Sequence, residues 1–489
     1  MAEMCDHTME IRDHIVAVTP DAGANHRQCG QIDKVRGDCE GLAGQKETAM
    51  PRPSANDITQ DVLPKISHGR GVYLWDVSGK QYIDGSGGPA VFSIGHGDPR
   101  VNEAVAKQME KVAYGYRYLF TTDPLEEMSD LITRATGLAD MVYTTSGSEA
   151  VESAVKIALQ YHYDRGEPAR VKFIARQRSW HGNTLMATAL SGFQDRQRAF
   201  AGALPVVGRV SAANGYRLPS GVTREGLVAH LAAELEAEIV RLGPETVAGF
   251  IFEPVVGAAG GALPAPEGYG RAVAEVCRRH GVLVICDEVM CGSGRTGVWR
   301  ASEEDGITAD IITVAKSLSG GYLPLGAAVY SQEIADVMAA GHGGPLTGHT
   351  YTGHTACLAA GVAVQKIVAE EGLLARIRDK GPRWRSDLRA RMAHLPGVGD
   401  VRGRGYFIGV ELVADPETKA PFDASLGVNG RIRAEGLRRG LICYPSGGHV
   451  DGAAGDTLIL APPFNATDAE LDEIADKLVA TLETVLQGL

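Results

Sequence analysis

"VAGFIFEPVVGAAGGALPAPEGYGRAVAEVCRRHGVLVICDEV", residues 247–289, holds two apolar runs separated by a glycine-rich loop and an amphipathic stretch. "VAGFIFEPV" and "VLVICDEV" are nearly continuous in apolar residues, as expected of strands buried on both faces. Between them, "EGYGRAVAEVCRRHG" has the spacing of a helix ending at a glycine. Strand, helix, strand in this order is a βαβ unit, and it predicts a mainly parallel sheet covered by helices.

The same alternation extends outward. "MVYTT" precedes a helix expected from about Gly147 to Tyr163, "VKFIAR" follows as another strand, and "IITVA" is a strand running into Lys316. Upstream, "VYLWDV", the turn "SGK" and "QYIDG" predict a hairpin, and "DPRVNEAVAKQMEKVA" predicts a helix with Val101, Ala104, Val105 and Met109 on one stripe. From about residue 365, helices, the segment "VRGRGYFIGVELV" and a final helix in "DAELDEIADKLVATLETVL" predict a smaller α+β lobe. The expected division is a flexible N-terminal extension over 1–55, an N-terminal segment over 56–110 that joins the small domain, a large domain over 111–364 and the small domain over 365–489.

Composition narrows the function. The chain has 489 residues, 44% hydrophobic and 22% charged, with a net charge of -12. That balance argues against a nucleic-acid binder, which needs a basic face, and no apolar run reaches the roughly 20 residues of a membrane helix. Eight scattered cysteines with no C-x-x-C pair point to reduced thiols in the cytoplasm. Cys286 and Cys291 flank acidic residues, but no histidine nearby completes a zinc pattern, so no metal is expected. The first 55 residues are acidic on balance and lack the marks of a transit peptide or secretory signal.

Ligands of open parallel sheets bind beyond the carboxyl ends of the strands, and four polar features stand there. In "TTSGSEAVESAVKIAL", Ser146-Gly147-Ser148 opens a helix whose free N–H groups suit a phosphate; a plain capping box has the same pattern. Asp287 closes the apolar strand "VLVICD", where a carboxylate faces a partner or caps a turn. In "RSWHGNT", Trp180 and His181 follow a strand, the aromatic being core or a platform. Lys316, in "IITVAKSLSGGYLPLGA", stands where an ammonium is costly unless paired, neutralised or reacted. Together a phosphate cradle, an aromatic plate, a buried carboxylate and a reactive amine match the needs of pyridoxal phosphate. A Lys–Asp ion pair alone would neutralise the amine but would leave the cradle and the aromatic unused.

With these residues in place, the sequence resembles the class III pyridoxal-phosphate-dependent aminotransferases, which include ornithine, 4-aminobutyrate and ω-amine:pyruvate enzymes. "SGSEA", "WHG", "EPVVGAAGG", "DEVMCGSGRTG", "AKSLSGGYLPLGA", "GHTYTGHT" and "APPF" match in type and in order, from about residue 60 to the C-terminus. The resemblance implies PLP fold type I, an α/β fold with a large domain and a smaller α+β domain, and a homodimer with the active site at its interface. It implies that Lys316 forms the Schiff base, that Asp287 pairs with the pyridine nitrogen, and that Val289 and Trp180 flank the ring. It assigns Ser146, Gly147 and Ser148 to the phosphate, His181 and Glu253 to the cofactor's surroundings, and Thr350 to the phosphate of the other subunit.

The departures concern the substrate. Where the family commonly has Gln after "DEV", this chain has Met290. The positions of the family's carboxylate-clamping arginines read Asn183, Gly452 and Ile459, leaving Arg117 and Arg404 as substitutes or as structural residues. The expected reaction is amino transfer from an amine or ω-amino compound to a 2-oxo acid, pyruvate first, in ping-pong order. An acceptor-independent enzyme on the same fold (an aminomutase, racemase, decarboxylase or lyase) is the alternative.

Overall fold

The computed structural model describes residues 63–489; the extension read over residues 1–55 lies outside them. Seven strands form the central sheet: β1 (Asp140–Thr144), β2 (Lys172–Arg176), β3 (Gly208–Val210), β4 (Val247–Phe252), β5 (Leu283–Asp287), β6 (Ile311–Val314) and β7 (Gly326–Tyr330). Their order is β1-β7-β6-β5-β4-β2-β3. β6, β5, β4, β2 and β3 pair in parallel. β7 is antiparallel to both of its neighbours.

Alternate residues of a strand point to opposite faces, and here both faces are buried. Phe250, Phe252, Val284, Cys286, Ile312 and Val314 pack against Leu231 and Leu235 of the helix Leu227–Leu242 and Val273 and Cys277 of the helix Tyr269–His280. Ala248, Ile251, Leu283, Ile285 and Ile311 meet Val151, Ala154, Ile157 and Ala158 of the helix Gly147–Asp164. The continuous apolar runs are thus explained by a sheet covered on both sides.

A separate apolar cluster holds the C-terminal part together. An antiparallel sheet of Val398–Arg404, Phe407–Leu412, Asp456–Leu460 and Tyr444–Gly447 packs with the helices Leu373–Arg391 and Asp468–Gln487. The expected hairpin forms from Tyr73–Asp76 and Gln81–Asp84, and its second strand pairs in parallel with Leu441–Ile442. Val72, Ile83 and Ile94 join the C-terminal core. No helix among the described residues is long and apolar enough to cross a membrane.

One buried ionic network joins this part to the loop after β4. Glu411, fully buried, accepts from Arg217 Nε at 2.6 Å, lies 3.1 Å from His449 Nε2 and pairs with Arg402. Arg402 also donates to the carbonyls of Gly260 and Gly261. Burial opposes ionisation of Glu411, but the neighbouring His449 and the Arg402 and Arg217 charges prevail and hold its carboxyl well below the usual range. Its contribution to stability is therefore present above the ordinary glutamate value of about 4.3 and is lost as pH falls toward the depressed one. Glu411→Gln should cost about 3 kcal/mol or more at pH 7, because it leaves buried Arg402 short of charge. It should also flatten the loss of stability on acidification, as denaturant unfolding at about pH 7 and about pH 3 would measure.

Candidate active site

The carboxyl ends of β1, β2, β4, β5 and β6 converge on one cavity, lined by Gly147, Ser148, Trp180, His181, Gly182, Glu253, Asp287, Val289, Met290 and Lys316. Each side chain arrives there because a strand stops. β5 ends at Asp287, and β6 ends two residues before Lys316.

Asp287 is buried, and three donors fix its carboxylate. Oδ1 accepts from Val289 N at 3.0 Å and from Thr313 Oγ1 at 3.1 Å, while Oδ2 lies 2.7 Å from His181 Nδ1. His181 Nε2 is buried without a partner. Glu253 accepts at both oxygens, from Trp180 N at 3.0 Å and Gly257 N at 2.8 Å. Burial pushes its carboxyl up, and the Asp287 charge adds to that rise. Burial pushes the Lys316 amine down from its ordinary value, against the opposing pull of Asp287 and Glu253. Lys316 also holds φ at 45°, in the left-handed region that disfavours a side chain. Such strain persists only where the surroundings impose it, and it clusters at functional sites.

The helix Gly147–Asp164 begins at the cavity wall. Ser146 is its N-cap, with its hydroxyl accepting from Glu149 N at 3.2 Å, so its role in the structure is to start the helix. Ser148 Oγ accepts from Asn183 N at 2.9 Å, joining this turn to the one after Trp180. A Cβ at Gly147 would stand 2.7 Å from Val289 Cγ1, and one at Gly182 would stand 2.6 Å from Ser148 Oγ. Trp180 packs with Val256, Ala259, Leu263 and Phe193 at the rim.

Three expected site residues lie elsewhere. Thr350 is exposed, its carbonyl accepting from Tyr114 Oη at 2.6 Å. Arg117 is half-buried and does not line the cavity. Arg404 is held by Asp305, at 2.7 and 3.0 Å, and by Glu304 at 3.5 Å. Conversely, Gly182, Thr313 and the Gly257 amide belong to the site without having been singled out from sequence. The turn "HGN" after Trp180 was the signal for Gly182, and Thr313 was the one polar residue of an apolar strand.

The Aminotransferase class-III family model matches residues 55–482. This chain belongs to the class III aminotransferases. An uncharacterized aminotransferase of Bacillus subtilis is 38% identical over 428 residues, covering 87% of this chain and 96% of its own. A diaminobutyrate–2-oxoglutarate transaminase of Halomonas elongata is 35% identical over 433 residues, covering 87% of this chain and 91% of its own. The structure of a PLP-bound amine transaminase from an uncultivated Pseudomonas species matches with a TM-score of 0.81 at 32% identity, over 90% of this chain and 98% of that one.

The cofactor of this aminotransferase is pyridoxal phosphate, and the residues present fit it. The helix N-terminus at Gly147 offers amides for a phosphate, Asp287 offers a fixed carboxylate, and Trp180 offers an aromatic face. Gly147→Ala should weaken pyridoxal phosphate binding, since forcing a methyl against Val289 costs about 1–3 kcal/mol. Val289→Ala added to it should relieve that clash but also remove packing against the ring, so it should restore only part of the affinity. Titration of apoprotein with the cofactor, followed by absorbance, would measure both; unchanged affinity in the single variant would show that the close packing has no part in the cradle.

Proposed function

We propose that this aminotransferase moves the amino group of an amine or ω-amino compound to a 2-oxo acid, pyruvate first, in two half-reactions of ping-pong order. The observation that carries the reading is a half-buried lysine with a depressed pKa, sharing one cavity with two buried carboxyl groups and a helix N-terminus. When bound, pyridoxal phosphate supplies an electron sink that makes the hydrogen on the amine-bearing carbon acidic.

The chain's own residues then divide the work. Lys316 Nζ would hold the cofactor covalently and, once freed as the unprotonated amine, would take a proton from that carbon and return it to the acceptor position. Its depressed pKa is the direction a base requires. Asp287 keeps a proton on the ring nitrogen, and its three donors hold it in place for that task. Gly147 and Ser148 would hold the phosphate, Trp180 and Val289 would enclose the ring, and Glu253 and His181 complete the wall. Ile459 is buried among Met290, Phe407 and Ala461, an apolar setting at a position where relatives of the ornithine type place a carboxylate clamp. This favours a donor whose carboxylate is distant or absent.

The second copy of the chain belongs to the same reading. Tyr114, Tyr116, Tyr118, Leu119 and Phe120 are exposed in succession, with Leu346 and Tyr351 also exposed and the Thr350 carbonyl bonded to Tyr114. Such a patch suits an interface, where Thr350 would reach the phosphate held by the other subunit. The large domain over 111–364 and the small domain over 365–489, joined by 56–110, would close over this site. Five described cysteines, all free, agree with a reducing cytoplasm.

Incubating the purified holoenzyme with a panel of amines and either pyruvate or 2-oxoglutarate tests the reading. Alanine from pyruvate is the expected product. Conversion of one substrate without any 2-oxo acid, or failure to form alanine or glutamate with every donor, would overturn it.

A further inference from the structure

A 2-oxo acid carries a carboxylate one bond from the carbon that accepts the amino group, so its site needs a cation beside the cofactor. Among the residues lining the cavity the one ammonium is Lys316, and the cofactor takes up its Nζ. The cation must therefore stand at the rim.

The arginines nearby are distinguished by what already holds them. Arg176 is fully buried, donates to the Glu253 carbonyl and packs against Phe252 and Tyr269. Arg402 is paired with Glu411 and Arg404 with Asp305. Arg178 donates Nη2 to the Val450 carbonyl at 2.8 Å and so ties the loop 448–455 to this edge of the site. Arg196 differs from all of these. Its guanidinium carbon stands 5.1 Å from the centre of the Trp180 ring and 5.6 Å from that of Phe193, and the residue is exposed. Neighbouring Asp195 pairs with Arg198 at 3.3 Å, and among the described residues no carboxylate lies within ion-pair distance of Arg196.

Resting on the transaminase reading above, we propose that Arg196 binds the carboxylate of the 2-oxo acid, with Trp180 as the shelf that carries its guanidinium to the rim of the cavity. A guanidinium lying against an aromatic face keeps its N–H edges free, and those edges match a carboxylate in bidentate geometry. The arginine thus comes from the segment after β2, and it reaches the site through Trp180.

The test compares pyruvate with propanal, an acceptor of three carbons without a carboxylate, using the holoenzyme and one amine donor. Arg196→Ala should raise KM for pyruvate about 10- to 100-fold, the scale of one charged hydrogen-bonded contact. It should leave kcat/KM for propanal within about twofold, and Arg196→Lys should recover part of the loss. Equal losses with both acceptors, or no loss with pyruvate, would overturn the assignment. Calorimetric titration of the holoenzyme with propionate gives a second readout: Arg196→Ala should weaken it by a similar factor, and an unchanged Kd would also overturn the assignment. If the wild-type protein uses neither acceptor, pyruvate is not its 2-oxo acid, and the propionate titration still decides whether Arg196 binds carboxylates.

Discussion

The partial burial of Lys316 in one cavity with buried Asp287 and Glu253 is the constraint around which the site is built. An amine removed from water is driven toward its neutral form, and a carboxyl removed from water is driven the same way. Lys316 and Glu253 both shift in those directions, while the negative charge of Asp287 restrains the first and strengthens the second. Asp287 is held by donors from its own turn, from the neighbouring strand β6 and from His181. The geometry of one carboxylate thus depends on three separate pieces of chain.

That dependence is met by the sheet. Strands that run parallel bring their carboxyl ends to one edge, so residues as far apart as Ser148 and Lys316 line the same cavity. Antiparallel β7 separates β1, which leads to the Ser146–Ser148 turn, from β6, which leads to the lysine. The helix Gly147–Asp164 packs across this region with Val151, Ala154 and Ile157 in the core, so its N-terminus has little freedom to move. Gly147 and Gly182 then allow two turns to approach where a methyl group would collide.

Much of this was legible in the chain, because each sheet strand is a local apolar run and each polar residue at its end breaks that run. Lys316, Asp287 and the Ser146–Ser148 turn stood out for that reason. Contacts between distant segments were not legible. Nothing in "RGRGYF" shows that Arg404 meets Asp305, and nothing in "FIGVELV" shows that Glu411 gathers Arg217, Arg402 and His449. The stacking of Arg196 on Trp180 likewise depends on how the chain turns after β2. Strand order was equally hidden: β7 sits between β1 and β6, although it follows both in sequence.

Chemistry and specificity are therefore carried by different parts of the fold. In the proposed reading the strand ends and the helix N-terminus would hold the cofactor, whereas Arg196, over Trp180 at the rim, would meet the substrate. The central claim is that Lys316 is the covalent anchor. Borohydride reduction of the holoenzyme, followed by digestion and peptide mass mapping, tests it most directly. One modified peptide carrying the reduced cofactor on Lys316 is the predicted result. Modification of a different lysine, or none in protein with the cofactor bound, would contradict it.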